Sequence, residues 1–434
     1  MPNIKSVVKK KKNSEYLEDL SKIIPLNGLS DKFPEKSWET WRRFDPSLLL
    51  PIMLESAREG VYKLPLLWKE INEDVTSCTK HKNFCENVKV LKEWEKTDFK
   101  FAQKVKDSLK KLNYNNEAAF FSQMANNITP WDETPVFRIS KNSSMENPLH
   151  FLYAPKKDIK YFYSNSLIIY AEENSSASIC LESFSEGFNL YDTRVYLEDN
   201  ASLNLHCLIR EGIGSNTTKH SAWVWNKNVY CRSSSNFTQS FFSAGGKLGK
   251  MISEVFLNDN SSAQIYGIHV GNHSHVDHDF NVKHFGSRST SNLEFNMALL
   301  DNAYGVFRGK LNIPKDYRVC KAEQTNKNLL LGEKSRADSI PMLEVLSEEV
   351  ECSHGSATGE LSDEEMFYLQ SRGLNETQAK QLLLLGFFEN ILQKALKHTQ
   401  DKAAYNDPFL HDIWCAIQDR SHINFERTYT MAET

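Results

Sequence analysis

The chain has 434 residues, and at about 150 residues per domain this length predicts two or three domains. Lysine plus arginine number 52 and aspartate plus glutamate 56, so the net charge of −4 excludes a nucleic-acid binder that works through bulk positive charge. No apolar run approaches the ~18 residues needed to span a bilayer, and the chain is predicted to be a globular, non-membrane protein.

The first residues carry a lysine run at 9–12 but no apolar segment of a secretory signal, which favours a cytoplasmic location. Eight cysteines are scattered without a C-x-x-C pair, so they are predicted to be reduced thiols.

Residues 1–129 are predicted to form an N-terminal helical domain. After a candidate cap at Ser14, apolar residues recur at steps of three and four, and the same pattern returns from Phe101 to Leu112. The stretch from Pro130 to Pro135 indicates a domain boundary.

Residues 136–358 change character, because β-branched and aromatic residues alternate with polar ones between short Asn/Ser turns. A weak repeat begins at Asn174, Asn200 and Asn260 and places apolar residues at offsets three and five: Ala177/Ile179, Leu203/Leu205 and Ala263/Ile265. Each pair would point to one face of a strand. Although the intervals of 26 and 60 residues are irregular, this pattern favours a parallel β-helix over an antiparallel sandwich.

Residues 359–434 are predicted to form a C-terminal helical domain. Ser362 with Glu365 forms a capping box, Gly373 would end that helix, and Asn375 with Gln378 would start the next one. The predicted fold class is therefore mainly β, with a β-helix core between two helical domains.

The densest group of candidate metal ligands consists of five histidines: His269, His273, His275, His278 and His284. Imidazole is a common transition-metal ligand, but His278 has the opposite strand parity to His273 and His275, and no familiar ligand spacing is complete. Polar strand and turn positions explain these residues as well. The glycine-rich segment 245–250 lacks the Walker spacing, so nucleotide hydrolysis by this chain is not expected.

Cys352 and His354 lie two residues apart, so on an extended segment a thiol and an imidazole would project from the same face. This pair could supply half of a site for iron or an iron–sulfur species, although a turn that ends the β domain accounts for it equally.

The segment from His275 to Leu374, together with the helix that follows, resembles the SufB/SufD family of iron–sulfur cluster assembly proteins. The matching motifs are HVDH (275–278), SRS (287–289), GVFRGKL (305–311), QTNKNLLLG (324–332), PMLEV (341–345), CSHGSATGELSDEEMFYLQSRGL (352–374) and GFFENI (386–391). The leader PEKSWETWRRFD (34–45) and the C-S-H-G segment at Cys352 are more similar to the SufD branch than to the SufB branch.

The resemblance implies a right-handed parallel β-helix in a non-catalytic subunit that pairs with a SufB-like paralogue and binds a SufC-like ABC ATPase. It implies no tightly bound cofactor, but a transient iron or iron–sulfur cluster at the SufB interface, with His354 and Cys352 as interface ligands. It also implies partner contacts from the C-terminal helices, at Tyr368, Arg372, Gly373, Phe387 and Phe388. Two other hypotheses remain open: a β-helix enzyme acting on polysaccharide, and a stand-alone iron-binding protein that uses the five histidines.

Overall fold

A computed structural model describes residues 12–24, 26, 33–35, 41–63, 67–70, 87–112, 119–145, 149–153, 161–183, 187–211 and 221–396. Its helices are α1 Asn13–Ser21, α2 Leu49–Glu59, α3 Leu91–Thr97, α4 Phe99–Leu109, α5 Ala119–Ile128, α6 Asp363–Ser371 and α7 Glu376–Leu396. Within these residues no helix is long and apolar enough to cross a membrane.

Nineteen strands run through the same residues. The first nine are β1 Val61–Lys63, β2 Leu67–Glu70, β3 Val88–Val90, β4 Pro135–Ile139, β5 Leu149–Tyr153, β6 Phe162–Ala171, β7 Ser176–Ser183, β8 Phe188–Leu197 and β9 Ser202–Glu211. The others are β10 Ala222–Cys231, β11 Asn236–Gly245, β12 Leu248–Leu257, β13 Ser262–Asn272, β14 His275–His284, β15 Thr290–Leu300, β16 Tyr304–Ile313, β17 Cys320–Leu330, β18 Arg336–Val345 and β19 Val350–Glu360.

The strands from β4 to β19 alternate between two parallel sheets. Even-numbered strands pair with even-numbered ones in sheet A, and odd-numbered strands pair with odd-numbered ones in sheet B. The chain therefore winds as a flattened solenoid with one strand of each sheet in every rung, which confirms the predicted parallel β-helix. The segment predicted to be helical also contributes β1, β2 and β3, which extend the two sheets.

Tight turns with a left-handed residue join sheet A to sheet B. Asn174, Asn200 and Asn260 have φ near +57 to +59°, a conformation that asparagine tolerates better than most residues. Ser234 occupies the same turn position in the rung between Asn200 and Asn260, so the irregular 60-residue interval contains one further turn with serine in place of asparagine. Asn200 Nδ2 donates to Asn174 Oδ1 at 3.0 Å, which links successive turns.

Alternate side chains point between the sheets and form a continuous apolar core. All six residues of the predicted repeat lie in it, which confirms their inward orientation: Ala177, Ile179, Leu203, Leu205, Ala263 and Ile265.

Helices cover much of the outer faces of both sheets. The N-terminal region packs on sheet A through residues that include Trp41, Phe44 and Phe121. Helix α7 packs on sheet B through a second apolar cluster: Leu384, Phe388, Ile391 and Leu392 against Leu208, Phe242 and Ile268. This packing stabilises α7, because a lone helix is marginally stable in water.

The helix ends follow the predicted caps in the C-terminal region. The Ser362 hydroxyl accepts from the Glu365 amide, and Gly373 follows α6 with φ +96°. Asn375 and Gln378 exchange side-chain to backbone hydrogen bonds at the start of α7. At the N-terminus the predicted cap at Ser14 was wrong by two positions, since α1 begins at Asn13 after its cap Lys12 and Ser14 lies inside the first turn.

Candidate functional site

The last rung of the solenoid, strands β18 and β19, is here called the terminal rung. Among the described strands, β18 pairs only with β16 and β19 pairs only with β17, so each sheet ends in an unpaired edge. Side chains along β19 are largely exposed. Unpaired edges and an exposed core face are features that proteins normally cover.

Cys352 and His354 lie on β19, and the extended backbone places both on the face that continues the solenoid core. Cys352 pairs in register with Ala322 and packs against the end of the core, whereas His354 pairs with Gln324 and is exposed. Burial raises the pKa of the Cys352 thiol, and the neighbouring Cys320 raises it further. The thiol is therefore protonated in the isolated chain and needs a metal or a nearby cation to become a ligand.

A buried polar row lies directly beneath this face, on β17. Gln324, Asn326 and Asn328 alternate along the strand and point inward, where the preceding rung has apolar residues. Asn328 Nδ2 donates to Thr358 Oγ1 at 2.9 Å, and Gln324 Nε2 donates to the Met342 carbonyl at 3.3 Å. These bonds attach both strands of the terminal rung to the rung below.

In the sequence, these three residues were noted only as part of a family motif, and their common inward orientation was not predicted. The signal was present, because Gln, Asn and Asn recur with the period of two that defines one face of a strand. Gly309 belongs to the same arrangement, since a Cβ atom there would lie 2.2 Å from Gln324 Oε1. The glycine therefore leaves room for the polar row.

The N-terminal region also holds the terminal rung. Asp338 on β18 accepts from the Tyr304 hydroxyl at 2.8 Å and from the Arg336 guanidinium, and its carboxylate lies 3.4 Å from Arg43 Nε. Arg43 belongs to the leader segment whose Trp41 and Phe44 are buried on sheet A. The leader segment therefore supports the outer side of the terminal rung.

The five histidines of the predicted cluster do not form one site. His273 lies in a turn with φ +51°, His275 faces outward between Phe44 and Tyr304, and His278 faces inward. The expectation that His273 and His275 share a strand face is therefore wrong, whereas the opposite parity of His278 and His275 is confirmed.

The remaining two histidines are buried in separate surroundings. The Ser243 hydroxyl lies 2.9 Å from His269 Nδ1 and 3.2 Å from His278 Nε2 inside the solenoid. His284 lies between Ser289 and Ser291. Across the described ranges, no three His, Cys, Asp or Glu side chains are grouped so that they could hold a metal ion.

The glycine-rich segment 245–250 is a corner between the sheets. Gly246 and Lys247 separate β11 from β12, and Lys250 is a buried strand residue whose Nζ lies 2.9 Å from Asp277 Oδ2. This corner is not a hairpin, because its strands belong to different sheets. Lys250 is therefore engaged in the fold.

The residues implied as partner contacts divide into exposed and buried groups. Helix α6 has no buried residue; Phe367 is 74% and Tyr368 56% exposed, and the Arg372 guanidinium lies over the Tyr368 ring at 5.2 Å. Phe388, by contrast, is fully buried against sheet B, and Phe387 packs partly against the same cluster. Phe388 therefore stabilises α7 on the solenoid rather than lying on a free surface.

The residues from 155 to 387 match the family model described as "SUF system FeS cluster assembly, SufBD core domain". The match spans most of the solenoid, helix α6 and the first part of helix α7, and it covers more than half of the chain. This protein therefore belongs to the SufBD family of iron–sulfur cluster assembly proteins.

Individual relatives agree with this assignment. The chain is similar to iron–sulfur cluster assembly protein SufD of Escherichia coli, with 28% identity over 189 residues, 43% of this chain and 44% of that protein. It is 26% identical to a SufBD family protein of Pyrococcus horikoshii over 62% of this chain and 60% of the relative. SufD of Plasmodium berghei is 28% identical over 52% of this chain and 17% of that protein. The matches span less than two thirds of each of these relatives.

Proposed function

We propose that this chain is a SufD-like scaffold subunit of a SufBCD-type complex. In this proposal it pairs with a SufB-like paralogue, binds a SufC-like ATPase, and contributes to iron acquisition and nascent cluster assembly at the SufB interface. The observation that carries the proposal is the terminal rung, where unpaired sheet edges and an exposed core face coincide with Cys352 and His354.

Pairing through the terminal rung follows from its physical chemistry. Unpaired strands offer rows of backbone donors and acceptors, and a second solenoid end would satisfy them and cover the exposed face. Leu343 on β18 is 38% exposed on that face, so apolar contact would add to the backbone pairing. A SufB-like paralogue with a related solenoid end is the occupant we infer.

The chemistry of the two side chains also calls for a partner. Iron–sulfur clusters are commonly held by four protein ligands, and Cys352 with His354 supplies two. Since no third metal-ligating group joins them within the described residues, the proposal assigns the missing ligands to the paired subunit. Iron and the cluster are then cargo at the interface and not a resident cofactor of this chain.

The proposal assigns ATPase binding to α6 and the adjacent part of α7. Phe367 and Tyr368 are exposed aromatic side chains on a helix that contributes nothing to the described core, and exposed aromatics are common anchors of interfaces. Arg372 and Gly373 lie at the end of the same helix. In this proposal the chain is non-catalytic and cytoplasmic, and the nucleotide chemistry resides in the ATPase.

Co-expression with the SufB-like and SufC-like proteins, followed by size exclusion with mass determination, tests the assembly. We expect a complex with one copy of this chain and two ATPase copies. Leu343→Glu should release the SufB-like partner, whereas Phe285→Glu, at an equally exposed apolar residue in the β14–β15 turn, should not. An intact wild-type chain that elutes alone beside intact partners contradicts the proposal.

The role of His354 is tested in the assembled complex. His354→Ala should leave assembly intact and reduce cluster formation, measured by absorbance and iron content after anaerobic reconstitution. Ser353→Ala, on the opposite face of the same strand, is the matched control. Unchanged cluster yield in the His354 variant would remove this residue from the proposed interface site.

Binding of the ATPase is tested on α6. Phe367→Ala combined with Tyr368→Ala should weaken ATPase binding at least tenfold, because truncating an aromatic anchor of an interface often costs about 2 kcal/mol or more of binding free energy. The fold should be unaffected, since α6 buries neither side chain. Tyr62→Ala, at a 47% exposed aromatic in β1, serves as the control. Unchanged affinity in the double variant would place the ATPase elsewhere.

A further inference from the structure

The interior of the solenoid contains a lysine that has no hydrogen-bond or ion-pair partner among the described residues. Lys227 lies on β10 between Trp225 and Val229 in the alternation that points inward, and its side chain is completely buried. Its Nζ makes no hydrogen bond and no ion pair among the described residues. Lysine is almost never fully buried without a partner, because transferring an ammonium group from water to the protein interior costs roughly several kcal/mol.

Other buried polar groups lie around it, and some of them lack a hydrogen-bond partner among the described residues. Thr193 on β8 and Ser253 on β12 flank Lys227 in register across sheet A. Gln239 faces it from sheet B, two residues before Phe241, whose ring centroid lies 6.0 Å from Lys227 Nζ. Both amide atoms of Gln239 and the Ser253 hydroxyl are buried and have no hydrogen-bond partner within the described part of the chain. These groups define what we call the Lys227 site.

The residues that the structure describes supply no counter-ion to this site. The described side chains that face the interior around Lys227 include no carboxylate, and the one ionisable group that acts on its charge is the Cys207 thiol. Burial raises the pKa of Cys207 to about 11, so this thiol stays neutral. Burial likewise lowers the pKa of Lys227 to about 8, which leaves it largely protonated at neutral pH.

We propose that the Lys227 site binds a small inorganic anion, held by the Lys227 ammonium, the Gln239 amide N–H and the Ser253 hydroxyl. Three donors then gain an acceptor, and the buried charge gains a counter-ion. The two sheets of a solenoid lie about 10 Å apart, and side chains fill most of the space between them. The ligand is therefore of halide or nitrate size rather than an organic acid. The proposal concerns the middle of the solenoid and does not depend on the terminal rung.

Crystallography with bromide as the probe tests the site directly. The full chain, purified and crystallised throughout in sodium bromide, should show an anomalous peak within hydrogen-bond distance of Lys227 Nζ. A water at this position, or no density, would overturn the proposal. This measurement needs only the wild-type protein and therefore does not depend on whether a variant folds.

A solution measurement separates a specific site from binding at crystal concentration only. At constant ionic strength, replacing gluconate by bromide should raise the melting temperature of the wild-type chain by roughly a few degrees. A ligand that binds only the folded state stabilises that state. Lys227→Met should abolish this rise, and Lys247→Met, at an exposed lysine in the β11–β12 corner, should retain it. Equal bromide responses in all three proteins would refute a specific site.

Discussion

The middle and the end of the solenoid use the same strand geometry with opposite outcomes. All ten residues of β8 are buried, because strands β6 and β10 flank it and other elements cover both of its faces. Strand β19 has the same length within one residue, yet almost every side chain is exposed. The difference comes from neighbours rather than from strand propensity, since no described strand follows β19 in sheet B.

Histidine also has different surroundings in the two regions. His284 is buried with both ring nitrogens bonded to serine hydroxyls, at 2.8 Å to Ser289 and 2.9 Å to Ser291. His354 carries its imidazole on an exposed face. A fully satisfied imidazole serves the fold, whereas an exposed one on an open rung is free to bind a ligand.

The sharpest test of this contrast is core truncation. Phe295→Ala, in the middle of the solenoid, should reduce the free energy of unfolding by about 3–5 kcal/mol, because it removes a fully buried ring that packs on Phe280, Phe307 and His278. Leu343→Ala in the terminal rung should cost about 1 kcal/mol or less, since its side chain is partly exposed. Urea denaturation checks both, and equal losses would contradict the proposed difference between the regions.

A smaller effect is expected on acidification. Burial lowers the pKa of His284 to about 4, so between pH 6.5 and 4 the unfolded chain binds a proton that the folded chain does not. The contribution of this residue to the free energy of unfolding is therefore fully present above pH 6.5. It decreases by about 3 kcal/mol as the pH falls to about 4. His284→Gln should flatten the pH dependence of the unfolding free energy in this range. An unchanged slope would show that His284 does not control acid stability.

The smallest expected effect concerns the turns. Val319 has φ +58° in the turn before β17, where four of the earlier rungs have asparagine. Since a β-branched residue is strained in this conformation, Val319→Asn should stabilise the chain by about 1 kcal/mol, and Asn174→Val should destabilise it by at least as much. Differential scanning calorimetry of both variants checks the pair. A neutral result at both positions would mean that these turns do not store strain.

Much of the fold was predictable because its signal is local. Asn174, Asn200 and Asn260 indicate turns in the sequence because asparagine tolerates the left-handed conformation that these turns require. Period-two alternation identifies the buried pairs. The rung at Ser234 was missed because serine carries a weaker turn signal than asparagine. Strands β1 to β3 were missed because short pieces that pair with distant strands have no periodicity of their own.

The candidate site was predictable only in part. The shared face of Cys352 and His354 follows from their spacing, but its exposure depends on β19 being the last strand of sheet B, which is a property of the whole sheet. Lys227 illustrates the opposite case. Its parity with Trp223, Trp225 and Val229 indicates an inward side chain, whereas its charge alone would assign it to solvent.

The two sets of corners set different limits on protein engineering. Four residues link each even strand from β6 to β12 with the next odd strand. Side-chain hydrogen bonds between Asn142, Asn174 and Asn200 join three successive turns, so a peptide inserted at one of these turns would disturb more than one rung. The opposite corners vary from two residues between β11 and β12 to residues 212–221 between β9 and β10. Epitope tags, fluorescent reporters or permuted termini are therefore best introduced between β9 and β10, because this is the longest interval between consecutive strands of the solenoid.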